Sequence, residues 1–270
     1  METKQDILQT IVANKRKELT VQKELCNQAT LEHRVEAILE KEDTTTRSMK
    51  WSLNTSDTGI IAEFKRKSPS KGWIKEDGKP TVIPPSYAES GAAALSILTD
   101  EKFFGGELDY IRQARPLVPS TPILRKDFII DEYQLLQAKA IGADAVLLIA
   151  ACLSKEECKQ LASKAKELRI ESLLEIHTAD ELDWVNEHVD MIGVNNRHLG
   201  TFHTDVQTSY DLARRLPSAF TLVSESGISN PQTVKELRDA GFRGFLIGET
   251  FMKEPHPGEA LRQFIQEVRS

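Results

Sequence analysis

The chain has 270 residues, 40% of them hydrophobic and 28% charged, with a formal net charge of -6. That is a globular composition with length for a sizeable core, and its acidity argues against a dedicated nucleic-acid binder, which shows a basic footprint. The three cysteines (Cys26, Cys152 and Cys158) form no close pair, which suits free thiols in a reducing cytosol.

The N-terminus, "METKQD", has no apolar core of the kind a signal peptide needs. The longest apolar run, "AVLLIAACL" from Ala145, is about half of the roughly 20 residues a membrane span requires. A cytoplasmic protein with no membrane partner is the expectation. His198 and His203 lie five apart, the wrong interval for one helix face, so no metal site is expected.

Residues 1–59 read as a helical extension. Ile7, Leu8, Ile11 and Val12 form one helical stripe, and Leu31, Val35, Ile38 and Leu39 form a second. Thr44 to Ser52 suggests a third short helix. These helices can cap a barrel end or fold over its mouth, and the extension is read with residues 60–270 as one domain.

From Ile60, β-rich runs alternate with helical patterns: "IIAEF", "ALSILT" (Ala94), "PILRKDF" (Pro122), "AVLLI" (Ala145), "SLLEI" (Ser172), "MIGVNN" (Met191), "TLVSES" (Thr221) and "GFLIG" (Gly244). Their spacing suits βαβ units, and their continuous apolar character suits parallel strands covered on both faces. Helix starts fall between them. "SKEE" at Ser154 and "TADE" at Thr178 match the capping box. Asp131 and Ser229 or Asn230 offer further N-caps, while Gly142 and Gly241 sit where helices should stop. Eight such units predict an α/β fold, a (β/α)8 TIM barrel with an N-terminal helical extension. An open doubly wound sheet fits less well, because no G-x-G-x-x-G follows the first strand.

Barrel chemistry sits at the C-terminal ends of the strands, and these ends are polar. Glu63 and Lys65 end the first, Arg125, Lys126 and Asp127 the third, and Glu175 the fifth. Asn195 and Arg197 end the sixth, Ser224, Glu225 and Ser226 the seventh, and Gly248 and Glu249 follow the eighth. Period-2 alternation puts Glu63, Lys65 and Lys126 inward, with Phe64, Arg66, Arg125 and Asp127 outside the pocket. A lysine near another cation and partly desolvated would have a lowered pKa and suit a general acid. Structural readings stand beside these: a Glu63–Lys65 ion pair, a salt bridge at Glu175, Asn195 and Asn196 as turn formers, and Arg66, Lys67 and Lys71 as solvated charges. Gly227 in "SESGIS" and Gly248 in "LIGET" fall where barrels bind phosphate, with Ser68 as a further hydroxyl. The residues therefore describe a barrel that binds a phosphorylated, multiply anionic small molecule and works by acid–base chemistry.

The segments "IIAEFKRKSPSKG", "SILTDEKFFGG", "PILRKDFIID", "GADAVLLI", "LLEIHT", "IGVNNRHL", "VSESGIS" and "FLIGETFM" closely resemble the indole-3-glycerol phosphate synthases of tryptophan biosynthesis. The likeness covers the barrel in order and extends to the helical extension. It implies a carboxy-lyase that closes the ring of 1-(2-carboxyphenylamino)-1-deoxyribulose 5-phosphate with loss of CO2 and water, without a metal or organic cofactor. By resemblance Lys126 is the general acid on the ketone oxygen, and Glu175 is an acid–base partner for the later loss of hydroxyl. Lys65 meets the substrate carboxylate or acts as a second acid, with Glu63 as base or orienter. Asn195 and Ser226 match polar active-site positions, and Arg197 and Glu225 match substrate contacts or their orienters. Phe104, Phe128 and Leu199 match the apolar wall for the aromatic ring. Ser68, Gly227, Gly248 and Glu249 match the phosphate site; because Glu249 stands where some relatives carry serine, its backbone N–H should bind while its carboxylate turns away. Trp73 is expected to pack under the first loop without a catalytic role.

The rival readings are a phosphoribosylanthranilate isomerase or flavin-binding barrel, and a non-catalytic sugar-phosphate sensor. An isomerase wants a Cys or Asp pair, and a sensor has no need of Lys126 and Glu175. The chain ends soon after "PGEALRQFIQEV", so a monofunctional enzyme is expected, as a monomer or weak homodimer.

Overall fold

The computed structural model describes residues 7–41, 47–198 and 203–270. Eight parallel strands close into a barrel: β1 (Ile60–Phe64), β2 (Ala94–Leu98), β3 (Ile123–Lys126), β4 (Ala145–Ile149), β5 (Glu171–Ile176), β6 (Met191–Asn195), β7 (Thr221–Glu225) and β8 (Gly244–Ile247). Each pairs with its sequence neighbours, and β8 returns to β1 through Ile60–Phe245 and Ala62–Ile247. All eight apolar runs are strands, with ends within two residues of those expected.

Period-2 alternation sorts the strand residues into two cores. Ile60, Ala62 and Phe64 face the surrounding helices, with Leu174, Ile176, Ile192 and Val194. Ile61, Leu124, Leu173, Met191, Val223 and Leu246 form a separate cluster, the filling of the barrel. Two residues further along the same strands, on the same faces, come Glu63, Lys126, Glu175, Gly193, Glu225 and Gly248. An apolar layer thus supports a charged one, and the backbone repeat places both.

Helices cover the outside: α1 (Ile7–Leu25), α2 (Gln28–Lys41) and α3 (Met49–Thr55) precede the barrel, and α4 (Ile83–Glu89) follows β1. After β2 come α5 (Glu101–Phe104) and α6 (Leu108–Ala114), then α7 (Glu132–Ile141) after β3 and α8 (Lys155–Glu167) after β4. α9 (Gln207–Ala213), α10 (Pro231–Asp239), α11 (Glu249–Met252) and α12 (Pro257–Arg269) complete the ring. Ser154 and Glu157 form the expected capping box of α8. Asp131 caps α7, Asn230 caps α10, and Gly142 ends α7 in the left-handed region. The fifth unit departs from the pattern, since only a 3-10 segment, Ala179–Trp184, follows β5. Thr178 makes no side-chain cap there. Glu181, which the box would have used, accepts the backbone N–H of His177 at 2.6 Å.

The extension serves both ends of the barrel. In α3 Met49 and Leu53 are fully buried against the inner cluster, so α3 plugs the N-terminal face. The Lys50 N–H donates to Glu171 Oε2 at 2.9 Å and the Ser52 hydroxyl to the Ala93 carbonyl at 2.6 Å, fixing the plug to the strand starts. The third expected helix therefore forms, beginning at Met49, while residues 44–46 of that expectation lie outside the described residues.

α1 runs to the opposite face, burying Leu8, Ile11, Lys15 and Leu19 along one stripe. Lys15 lies 3.0 Å from Asp100 at the end of β2, 3.0 Å from Asp127 after β3 and 2.8 Å from Glu18. Its first turns, through Ile7, Leu8 and Ile11, line the mouth.

Candidate active site

At the C-terminal ends of the strands lies a cavity of about 490 Å³. Lys126 stands across it from two acids, with its Nζ donating to Glu175 Oε2 at 2.9 Å and to Glu225 Oε2 at 2.8 Å. The side chains of the two acids are 3% and 1% exposed, so solvent screens this trio little. Burial alone would lower the Lys126 pKa, but Glu175, Glu225 and Glu63 outweigh it and hold the amine above the usual lysine range. The expectation of a lowered pKa is corrected: the dominant neighbours are carboxylates, which favour the charged form. Burial opposes ionisation of Glu175 too, yet Lys126 and His177 hold it well below the usual carboxylate range. Glu225 goes the other way. Burial, with Glu175 and Glu63 nearby, pushes it up to about 7 against the pull of Lys126, and its Oε1 has no hydrogen-bond partner among the described residues.

Two glycines make room for these acids. A β-carbon at Gly193 of β6 would overlap Glu225 Oε1, and one at Gly248 would overlap Glu63 Oε1. Glu63 is ion-paired to Lys65 at 2.5 Å, which places both on the inner face, as alternation requires. The ion pair that the structural reading expects is formed.

Two of the three expected wall residues come together. Phe104 at the end of α5 and Phe128 after β3 face each other with ring centroids 5.9 Å apart, and both line the cavity with Leu147, Ile149 and Ile11. Leu199, the third expected wall residue, lies outside the described residues. On the far side, Ser68, Ser226, Gly227, Gly248 and Glu249 line the same cavity. Ser226 and Gly227 both take positive φ, 70° and 78°. For a serine that geometry needs outside support, and the Asn196 amide supplies it by donating to the Ser226 carbonyl at 3.0 Å. The Asn196 carbonyl oxygen accepts from Ser209. Asn196 is thus a buried brace behind the cavity, whereas Asn195 lines it and accepts the Arg197 N–H at 3.0 Å.

The first loop is tied down from two directions. Arg197 Nη1 donates to Ser70 Oγ at 2.8 Å, and Lys71 lies 3.5 Å from Glu249 Oε1. Arg66 is not a solvated charge: it donates to the Glu76 carbonyl and to Tyr110 Oη and stacks 5.2 Å over Trp73. Lys67 donates to the Lys102 carbonyl at 3.2 Å and sits 5.5 Å over the same ring. Trp73, in the short hairpin of Lys67–Ser68 with Gly72–Trp73, is a half-exposed platform for these cations rather than a buried prop. Arg125 points outward as expected, to the Gln134 carbonyl at 2.6 Å and Asp127 at 2.9 Å. The Asp127 carboxylate turns to Lys15, so its burial is offset by Arg125 and Lys15, which hold it below its ordinary range.

Two residues of this region carry no role in the sequence reading. Lys15 looks like a charge interrupting an apolar stripe. His177 follows β5 at the period-2 position after Glu175, and that spacing was the available signal.

The family model for indole-3-glycerol phosphate synthase matches residues 8–264. A curated indole-3-glycerol phosphate synthase of Bacteroides thetaiotaomicron is 60% identical over 264 residues, covering 98% of this chain and 99% of the relative. The chain belongs to the indole-3-glycerol phosphate synthase family. A second member, from an Acidovorax species, is 46% identical and covers 80% of this chain and 83% of its own length. Among solved structures, a 3-hexulose-6-phosphate synthase of Salmonella typhimurium superposes with a TM-score of 0.63 at 14% identity, covering 78% of this chain and 98% of that one. A tryptophan synthase α subunit of Legionella pneumophila reaches 0.60 at 16%, covering 84% and 98%. At that identity these two show the barrel fold alone. Family membership and the barrel agree with the sequence-based expectation, and the isomerase, flavin and sensor readings give way.

Proposed function

We propose that this mouth closes the ring of 1-(2-carboxyphenylamino)-1-deoxy-D-ribulose 5-phosphate to give indole-3-glycerol phosphate, CO2 and water, with Lys126 as the first general acid. The observation that carries the reading is Lys126 bridging Glu175 and Glu225 in a charged layer of the same cavity that the Phe104–Phe128 pair lines. The aromatic ring rests on that wall, and the carbon bearing its carboxylate attacks the ketone. Holding the two carbons together lowers the entropic part of the barrier.

As the carbon–carbon bond forms, the ketone oxygen becomes an alkoxide. An alkoxide is more basic than an amine, so Lys126 can protonate it even with a raised pKa; the acids around Lys126 ensure that the proton is present at neutral pH. The bond to the carboxylate then breaks, CO2 leaves, and its electron pair restores the aromatic ring. In the second half the new hydroxyl departs as water and the five-membered ring loses a proton. Lys65, held by Glu63, supplies the proton to the leaving hydroxyl. Glu175, ionised in the free enzyme, takes the proton the ring must lose.

Asn195 and Arg197 border the substrate chain, and Glu225 orients Lys126. The phosphate lies against Ser68, Ser226 and the backbone of Gly227, Gly248 and Glu249, where main-chain N–H groups give a compact anion site. Glu249 is drawn toward Lys71, which relieves repulsion between its carboxylate and the phosphate.

The test is a fluorescence assay for indole-3-glycerol phosphate from the carboxyphenylamino-deoxyribulose phosphate, run with and without EDTA. A rising signal indifferent to EDTA supports the reading. No signal from folded protein that still binds the product phosphate would overturn it.

A further inference from the structure

His177 belongs to none of the roles assigned above, yet its ring is buried between two carboxylates beside the site. Its side chain is 9% exposed. Nε2 lies 3.3 Å from Glu175 Oε1, the oxygen that Lys126 does not hold, and Nδ1 lies 3.5 Å from Glu181 Oε2. Glu181 is held in place by the His177 backbone N–H at 2.6 Å, the bond that replaces a capping box in the fifth unit. At these separations neither ring nitrogen completes a hydrogen bond among the described residues; a neutral imidazole has one N–H to turn to a carboxylate, whereas the protonated ring has two, one for each.

The charge balance of the mouth points the same way. Its inner layer carries Glu63, Glu175 and Glu225 against Lys65 and Lys126, an excess of acid in a site for a polyanion. An imidazolium beside Glu175 offsets that excess. The charged groups facing His177 are Glu175, two residues earlier in β5, and Glu181 from the 3-10 segment. Through Glu175 come Lys126 of β3 and Glu225 of β7. The 3-10 turn Ala150–Cys152 after β4 also packs against β5, and β6 pairs with it.

We propose that His177 is a positioning residue for the dehydration half of the reaction: clamped between Glu175 and Glu181, its imidazolium keeps the Glu175 carboxylate ionised and aimed across the barrel at Lys126 and the substrate. This rests on the reading of Glu175 as the acid–base group of that step. The electrostatics agree, since burial would lower the His177 pKa but Glu175 and Glu181 outweigh it and raise it to about 9. The sign follows. Removing the cation raises the proton affinity of Glu175, so Glu175 is protonated at higher pH and the acid limb of the kcat profile moves up.

The experiment compares kcat and KM against pH for wild type, His177→Asn, Glu181→Gln and Glu175→Gln, with binding of indole-3-glycerol phosphate as a check on each. For His177→Asn, kcat falls about tenfold to a hundredfold with KM near wild type, and the acid limb rises by about one pH unit. Glu181→Gln, altered at a more exposed position, moves the limb the same way by less. An unmoved acid limb in both variants, or a loss in KM alone, overturns the proposal while an inactive Glu175→Gln leaves the role of Glu175 standing. Full activity in Glu175→Gln overturns both. If His177→Asn does not fold, Glu181→Gln carries the test, and an unmoved limb there counts against the proposal.

Discussion

Gly193 shows how closely the charged layer is packed. It lies on the inner face of β6 where its neighbours carry acids, and Glu225 Oε1 occupies the space its β-carbon would take. Gly193→Ala is therefore a steric change to Glu225, and through it to the hydrogen bond on Lys126. We expect kcat to fall about a hundredfold, as for a misplacement of about 1 Å, with the circular dichroism spectrum unchanged. Steady-state kinetics on folded protein check this, and wild-type kcat would show that Glu225 can move without harm.

Single residues were also where the sequence was least legible. The positions of Lys126, Glu175 and Glu63 on strand ends follow from alternation, but the environment of Lys126 does not. Its two acids lie 49 and 99 residues further along the chain, whereas the sequence shows only nearby cations, and Arg125 among them points elsewhere. Arg66 and Lys67 look solvated from local sequence, which does not reveal that Trp73 and Tyr110 lie within reach.

Among the elements, α1 joins sequence to function most directly. Leu8 and Ile11 of its expected stripe are buried while Ile7 and Val12 are only partly so, and Lys15 and Leu19 complete the buried face; Lys15 is not legible there, because a lysine amid apolar residues gives no clue to partners that α1 meets only on docking. In Lys15→Met the fully buried Asp100 loses its cation, and the nearly buried Asp127 keeps only Arg125. Breaking a buried pair of this kind costs about 3–5 kcal/mol. Loss of docking also withdraws Ile7, Leu8 and Ile11 from the mouth. Lys15→Met should lower the urea midpoint and raise KM more than it changes kcat. An unchanged midpoint and KM would mean that α1 docks through its apolar stripe alone. The fifth unit teaches the converse lesson. "TADE" has the letters of a capping box, yet its glutamate sits beside a histidine that competes for it, and no α-helix follows.

At the scale of the whole molecule the eight strands were readable because each is a continuous apolar run bounded by turn residues, which parallel strands covered on both faces require. The same repeat carries the function. The residue pointing into the barrel at the end of each strand must be polar, small or in contact with substrate, and the residue two positions earlier must fill the core. Ile61 below Glu63, Leu124 below Lys126, Leu173 below Glu175 and Val223 below Glu225 are that rule in four strands. The division of the N-terminal helices between plug and mouth could not be read from their periodicity, since both tasks need one apolar face.

The central claim is that Lys126 gives the proton that drives ring closure. The most direct measurement is single-turnover formation of indole-3-glycerol phosphate by Lys126→Ala beside wild type, with product binding measured on the same samples. The account predicts a rate at least about a hundredfold to ten-thousandfold lower, with binding held within about tenfold. Turnover by Lys126→Ala at the wild-type rate would contradict it.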